Sequence, residues 1–113
     1  KYSDYFINPK ETTGCDTAWL AFPILIKEGA PFSRKDLQIF LEKQNIQTRV
    51  VFTGNIVRQP MCNDIKKRVT KNGYPNADNV MARGILLPLH HGLTENMFER
   101  FHSVVEDFVV KNG

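Results

Sequence analysis

From Glu95 onward the chain reads ENMFERFHSVVEDFVVKN, and its apolar residues Met97, Phe98, Phe101, Val104, Val105, Phe108 and Val109 recur every three or four positions. That period belongs to an α-helix with one apolar face. At about 1.5–3 kcal/mol per fully buried side chain, such a face requires an apolar surface to rest on. Thr94 stands where it can cap this helix. The remaining apolar segments are short and broken by proline: TAWLAFPILIK at 17–27, IQTRVVFT at 46–53 and ILLPL at 85–89. Runs of this length, rich in branched and aromatic residues, read as strands. Pro23 and Pro88 cannot donate to a ladder, so each places a break or an edge in its strand.

Between the first two runs the start signals of a helix are complete. Ser33 is placed to N-cap, Asp36 sits at the capping-box position, and Phe32 and Leu37 stand where a hydrophobic staple puts them. Leu37, Phe40 and Leu41 form the inner stripe, and the helix ends near Asn45. From 58 to 75 no period is evident, and KNGYPN at 71–76 is turn-like. NADNVMARG at 76–84 reads as a short helix stopped by Gly84. The order strand, helix, strand, long loop, short helix, strand, helix predicts an α+β fold: a small antiparallel-type sheet of about three strands with helices packed on one face. At 113 residues, 42% hydrophobic and 24% charged, residues 1–113 form one domain with one core.

The net charge of +3 is spread among interleaved acidic and basic residues, and the densest basic run is Lys66-Lys67-Arg68. This fits a phosphate-bearing small molecule at least as well as nucleic acid, and a plainly solvated face as well as either. Cys15 and Cys62 form no metal or disulfide pattern, so free thiols, no metal site and a reducing cytoplasm are the expectation. No run reaches the ~18–20 apolar residues of a membrane span, and the N-terminus lacks a signal peptide's apolar core, so no membrane association is expected. The first residue is Lys1 rather than Met, as in a piece of something longer. No nucleophile signature, P-loop, GxGxxG or HExxH is present, and motif alone assigns no catalytic residue.

The chemistry-bearing candidates gather around VFTGNIVRQP at 51–60. A strand that runs into Gly54 and Asn55, both tolerant of positive φ, gives up ladder hydrogen bonds where polar side chains begin. Asn55 and Arg58 bracket this irregular stretch, Gln59 follows, and Arg58 offers a planar fork for phosphate or carboxylate. A turn-forming Asn beside a surface Arg is the bland alternative. Arg49, inside the second strand, covers a partner subunit, reaches a ligand phosphate or guards an edge. His90 and His91 lie at a strand end before Gly92, displayed at a corner or simply exposed in a turn. Trp19 and Phe22 read as core aromatics or as a cleft wall.

Three segments, TAWLAFPILIK, APFSRKDLQIFLEKQNIQTRVVFTGNIVRQP and PNADNVMARGILLPLHHGLTENMFERF, together resemble the C-terminal part of the DegT/DnrJ/EryC1/StrS family of pyridoxal-phosphate-dependent sugar aminotransferases and dehydratases. The pattern TRxxFxGNxxRQP is the most specific element, and the corner LPLHHGLT is a second. The nearest branch by resemblance is that of lipopolysaccharide-biosynthesis 3-dehydratases acting on nucleotide-linked 4-keto-6-deoxyhexoses. Two positions depart from it: Leu20 where an aromatic is common, and Asn79 where a basic residue is often found. Elimination of a 3-hydroxyl and transfer of an amino group both stay open.

The resemblance implies that this chain is the small C-terminal domain that closes over the cleft of a larger enzyme. The cofactor pyridoxal phosphate and its Lys or His base then belong to a large domain outside this sequence, and the fragment alone is expected to bind no cofactor and to turn nothing over. It also implies a nucleotide-diphosphate sugar as substrate, a second subunit in a cytoplasmic homodimer, and no nucleic acid partner. Carried over residue by residue, Asn55, Arg58 and Gln59 face the cleft, Arg49 stands behind them, and His90 occupies the neighbouring corner. The alternatives from other classes are a free-standing α+β module for a phosphorylated ligand or RNA, and a pure dimerisation domain.

Overall fold

A computed structural model describes residues 2–113. Its elements in chain order are β1 (Phe6–Ile7), β2 (Phe22–Ile26), α1 (Arg34–Lys43), β3 (Arg49–Val50), α2 (Pro75–Arg83), β4 (Gly84–Leu87) and α3 (Glu95–Asn112), with two 3₁₀ turns at Ile56–Arg58 and Pro60–Cys62. The four strands form one sheet in the order β1-β2-β4-β3, and every neighbouring pair is antiparallel. The α+β class holds, with one strand more than the periodicity predicts. β1 is two residues long, too short to carry a period, and is held by its pairing with Leu25 and Ile26.

Side chains alternate across a strand, so Ile24, Ile26, Ile85 and Leu87 share one face. That face joins Leu37 and Leu41 of α1, and Val104, Val105 and Phe108 of α3, in a single buried cluster. Phe108 is its centre of aromatic contact, with ring centroids 4.8 Å from Phe32 and 5.2 Å from Phe40. The predicted strand at 17–27 contracts to β2. Pro23 lies in a strand with two neighbours, yet β1 reaches only Leu25 and Ile26, so at Pro23 the sheet is locally an edge. Trp19 is half-buried, its ring 6.5 Å from that of Phe22, and Leu20 is exposed.

The capping box of α1 forms as its sequence specifies. Ser33 Oγ accepts from the Asp36 backbone N–H, and the Ser33 backbone N–H donates to Asp36 Oδ2 at 2.9 Å. Thr94 occupies the N-cap position of α3, but its side chain makes no capping hydrogen bond. Met97 and Phe98, predicted to be buried, are exposed. The apolar stripe of α3 is covered only from Phe101 onward.

Two of the contacts that hold α2 involve its last turns. Arg34 at the start of α1 donates from Nη1 to Met81 O at 2.7 Å, satisfying a carbonyl of the last turn of α2. Gly54 lies against Met81 so closely that a Cβ there would sit 2.3 Å from the Met81 Cβ. The loop after β3 is thereby pressed onto the side of α2, and this approach assembles the polar cluster described next.

Candidate functional site

β3 ends in a sharp turn in which Phe52 (φ 45°) and Gly54 (φ 63°) both take left-handed backbone. Gly54 N–H donates to Val51 O at 2.9 Å, reversing the chain. Asn55 then caps the first 3₁₀ turn, its Oδ1 accepting from Val57 N–H at 3.2 Å. Gln59 Nε2 donates to Thr53 O at 3.0 Å and closes the loop across its base. Pro60, with φ preset for a turn, opens the second 3₁₀ segment.

This geometry aims two side chains at one acceptor. Asn55, only 3% exposed, donates through Nδ2 to Asp78 Oδ1 at 2.7 Å. Arg58 donates through Nε to the same Oδ1 and through Nη2 to Oδ2, both at 2.9 Å. Asp78 sits in the first turn of α2, where a carboxylate also meets the positive end of the helix dipole. The hydrogen bond from Arg58, and then that from Asn55, pull the Asp78 carboxyl from its ordinary 3.8 down to about 2. The same bond raises the Arg58 guanidinium above its usual range.

Asn55, Arg58 and Asp78 line a cavity of about 270 Å³ with Val57, Lys67 and Tyr74. Lys67 Nζ donates to Cys62 O, which turns this cation toward the same loop. The Arg58 side chain is 63% exposed. With Nε and one N–H of Nη2 engaged by Asp78, three of its five donors remain, and two of them form the outer edge of the fork. A flat double donor beside an ammonium is chemistry suited to an oxyanion. A larger depression of about 570 Å³ lies along α1, between Lys35, Gln38, Glu42 and Thr48. Glu42 Oε1 there accepts from the Thr48 N–H and Oγ1, and Gln38 donates to Thr48, while Lys35 and Lys43 stand at its sides; none of the sequence candidates lines it.

The sequence candidates therefore divide. Asn55 and Arg58 come together on one side of the molecule, beside an opening. Gln59 is half-buried and spends its amide on the loop backbone. Arg49 is exposed on β3 opposite Leu86 and does not line the cavity. His90 is not the neighbouring corner. β3 and β4 are antiparallel, so the end of β3 lies beside Gly84 while His90 follows the opposite end of β4. Its Nδ1 accepts from Gly92 N–H at 3.1 Å in a local turn, and both His90 and His91 are exposed. The residue that sequence reasoning missed is Asp78. Its one local signal, an acidic group in the first turn of a helix, has an ordinary explanation in helix stability. Among the described residues no group of three or more His, Cys, Asp or Glu side chains gathers at metal-binding range, and no helix is long and apolar enough to cross a membrane.

Two curated proteins resemble the chain over most of its length. It is 34% identical over 100 residues to the lipopolysaccharide biosynthesis protein RfbH of Salmonella typhimurium, covering 88% of this chain and 23% of that protein. It is also 34% identical over 105 residues to the dTDP-4-dehydro-2,6-dideoxy-D-glucose 3-dehydratase of Saccharopolyspora spinosa, covering 93% and 22%. The chain thus spans under a quarter of the length of these relatives. Among solved structures, a DegT DnrJ EryC1 StrS aminotransferase from Brucella abortus superposes with a TM-score of 0.76 at 22% identity, over 94% of this chain and 26% of that one. The E. coli GDP-4-keto-6-deoxy-D-mannose-3-dehydratase, solved with bound hydrated PLP, gives 0.73 at 23% identity, over 89% and 25%. These likenesses carry the fold. A profile of the DegT/DnrJ/EryC1/StrS aminotransferase family matches residues 3–107, nearly the whole sequence, and the chain belongs to that family.

Proposed function

We propose that the chain is the small domain of a longer pyridoxal-phosphate-dependent enzyme that modifies a nucleotide-linked sugar, by 3-dehydration or amino transfer, in lipopolysaccharide or deoxysugar synthesis. In this reading the loop of Asn55 and Arg58 meets the anionic part of the substrate. The observation that carries it is the Arg58 guanidinium, held from behind by Asp78 and exposed toward a cavity that Lys67 also lines. The names of the two curated relatives, and their greater length, support the rest.

The surroundings agree with a surface made to be covered. Val50, Phe52, Ile56, Met61 and Ile65, all within 15 residues of β3's end, are exposed, Phe52 to 85%. This many bare apolar side chains in one short segment agrees with a surface that another part of a longer enzyme covers. The remainder of a longer enzyme, including a second subunit, is the covering this reading assigns to it.

The residues of this chain do not fit pyridoxal phosphate itself. The cavity's one lysine, Lys67, donates to Cys62 O, and its one carboxylate, Asp78, is taken by Arg58 and Asn55. Asp78 is not free to hold a pyridine nitrogen and no second carboxylate lines the cavity, so this reading assigns the cofactor to the rest of the parent. This chain's contribution is to bind and orient the substrate's charged end and to exclude water as it closes. In the longer enzyme, Arg58→Ala is expected to lower kcat/KM for the nucleotide sugar at least tenfold, chiefly through KM, in steady-state kinetics. Unchanged kinetics would remove Arg58 from the substrate site.

A further inference from the structure

We infer that Asp78 is a positioning residue for anion recognition: it holds one edge of the Arg58 guanidinium so that the opposite edge faces the cavity as a fixed double donor. The inference rests on the reading of Arg58 as a substrate contact and adds to it the group that makes the contact directional.

The geometry argues it step by step. A guanidinium offers planar pairs of N–H groups, and a carboxylate or phosphate can take only one pair at a time in a bidentate fit. Asp78 takes the side pair, Nε to Oδ1 and Nη2 to Oδ2, both at 2.9 Å. The end pair, Nη1 with the second hydrogen of Nη2, is left pointing away from Asp78. An arginine side chain that is 63% exposed would otherwise sample many rotamers, and binding a ligand would have to freeze them. Asp78 is itself fixed from a second direction by Asn55 Nδ2 at 2.7 Å. Asn55 is in turn fixed by accepting from Val57 N–H. The chain of contacts runs from the backbone of one 3₁₀ turn, through a buried amide, through a carboxylate on α2, to a cation at the cavity mouth. Lys67, on the same cavity, supplies a second positive group. Two cations and one carboxylate leave the recess net positive. Its 270 Å³ is close to the ~300 Å³ lower bound of small-molecule sites, suited to a diphosphate rather than to a whole nucleotide sugar.

The sign of one substitution separates positioning from simple charge. Asp78→Asn removes a negative charge from the recess, which by Coulomb attraction alone tightens an anion. It also replaces one acceptor oxygen with an NH₂ that faces the guanidinium donors, which frees the fork and so weakens a bidentate ligand. The probe is inorganic pyrophosphate, titrated into the 113-residue chain at low salt and followed by the amide resonances of residues 55–59. Positioning predicts that Asp78→Asn binds at least fivefold more weakly than the parent chain, and Arg58→Ala at least tenfold more weakly. Tighter or equal binding by Asp78→Asn, with Arg58→Ala still impaired, overturns the inference about Asp78 and leaves Arg58 in place. Absence of pyrophosphate binding by the unsubstituted chain, or full binding by Arg58→Ala, overturns the reading of Arg58 as well. A measurement on the unsubstituted chain stands independently of whether the variants fold. The Arg58 Nε–H should exchange with water at least tenfold more slowly than that of exposed Arg68, and equal exchange overturns the inference.

Discussion

Gly54 and Gly29 share a left-handed backbone, at φ 63° and 82°, but not a neighbourhood. A Cβ at Gly29 meets nothing within 4 Å, whereas one at Gly54 meets Met81 Cβ at 2.3 Å and Cα at 2.5 Å. Gly29→Ala should therefore cost only the ~1–2 kcal/mol of left-handed backbone. Gly54→Ala should cost that plus ~1–3 kcal/mol of overpacking, and should push the loop off α2; urea unfolding of the two variants makes the comparison. Asn55→Ala removes a buried donor to Asp78 and a turn cap, with an expected loss of about 1–3 kcal/mol. Asp78 adds a pH signature. Its carboxyl is held at about 2 against an ordinary 3.8, so its contribution to stability is complete above about pH 4 and disappears as pH falls through 2. Thermal unfolding of Asp78→Asn should accordingly lose less stability than the parent chain between those two values. An acid limb as steep as the parent's would mean that the pair with Arg58 is not formed in solution. Asn55 and Arg58 were legible as polar groups leaving a strand. Asp78 was not, because its partners lie 23 and 20 residues away and only the fold brings them together.

At the scale of elements, legibility follows how local the determining interactions are. The start of α1 is written within five residues, Phe32 to Asp36 with Leu37 beyond, and it forms as read. The capping box also holds the Asp36 carboxyl below its ordinary value, through the Ser33 hydroxyl first and its backbone N–H second. The N-terminus of α3 has a similar residue, Thr94, without the bond. Ser33→Ala is thus expected to destabilise by about 1 kcal/mol, within the 0.5–2 kcal/mol of lost N-caps, and Thr94→Ala by no more than a few tenths. Equal losses in chemical denaturation would mean that Thr94 caps in solution. β1 and the limits of β2 and β3 were less legible because a strand is defined by its partner. Two residues become β1 only where Leu25 and Ile26 present free ladder groups. Of the predicted 46–53 run only Arg49–Val50 pair, since Phe52 has already turned out of the ladder.

On the scale of the whole molecule, the decisive fact is the strand order. Periodicity identified the last helix, the cappable helix and the apolar runs, and these suffice for a class of fold. They do not say that β4 inserts between β2 and β3, because pairing order depends on contacts distant in sequence. That insertion puts Gly84 beside the end of β3 and carries His90 to the opposite end of the sheet. Two groups that the sequence places at strand ends are for this reason not at the same end. Sites this far apart with no shared partner act independently, their effects adding within ~0.3–0.5 kcal/mol. His90→Ala should then leave pyrophosphate affinity within about twofold of the parent chain, in the titration where Arg58→Ala loses tenfold. The double variant should bind within about twofold of Arg58→Ala alone. A tenfold loss on His90→Ala would require the anion to span the sheet or the corner at 88–92 to fold back toward α2. Either result would bring His90 to the cavity, whereas antiparallel pairing of Leu86 with Arg49 and Ile85 with Val50 sends the chain away from the end of β3 as it leaves β4, so the measurement tests whether the two groups lie at opposite ends of the sheet.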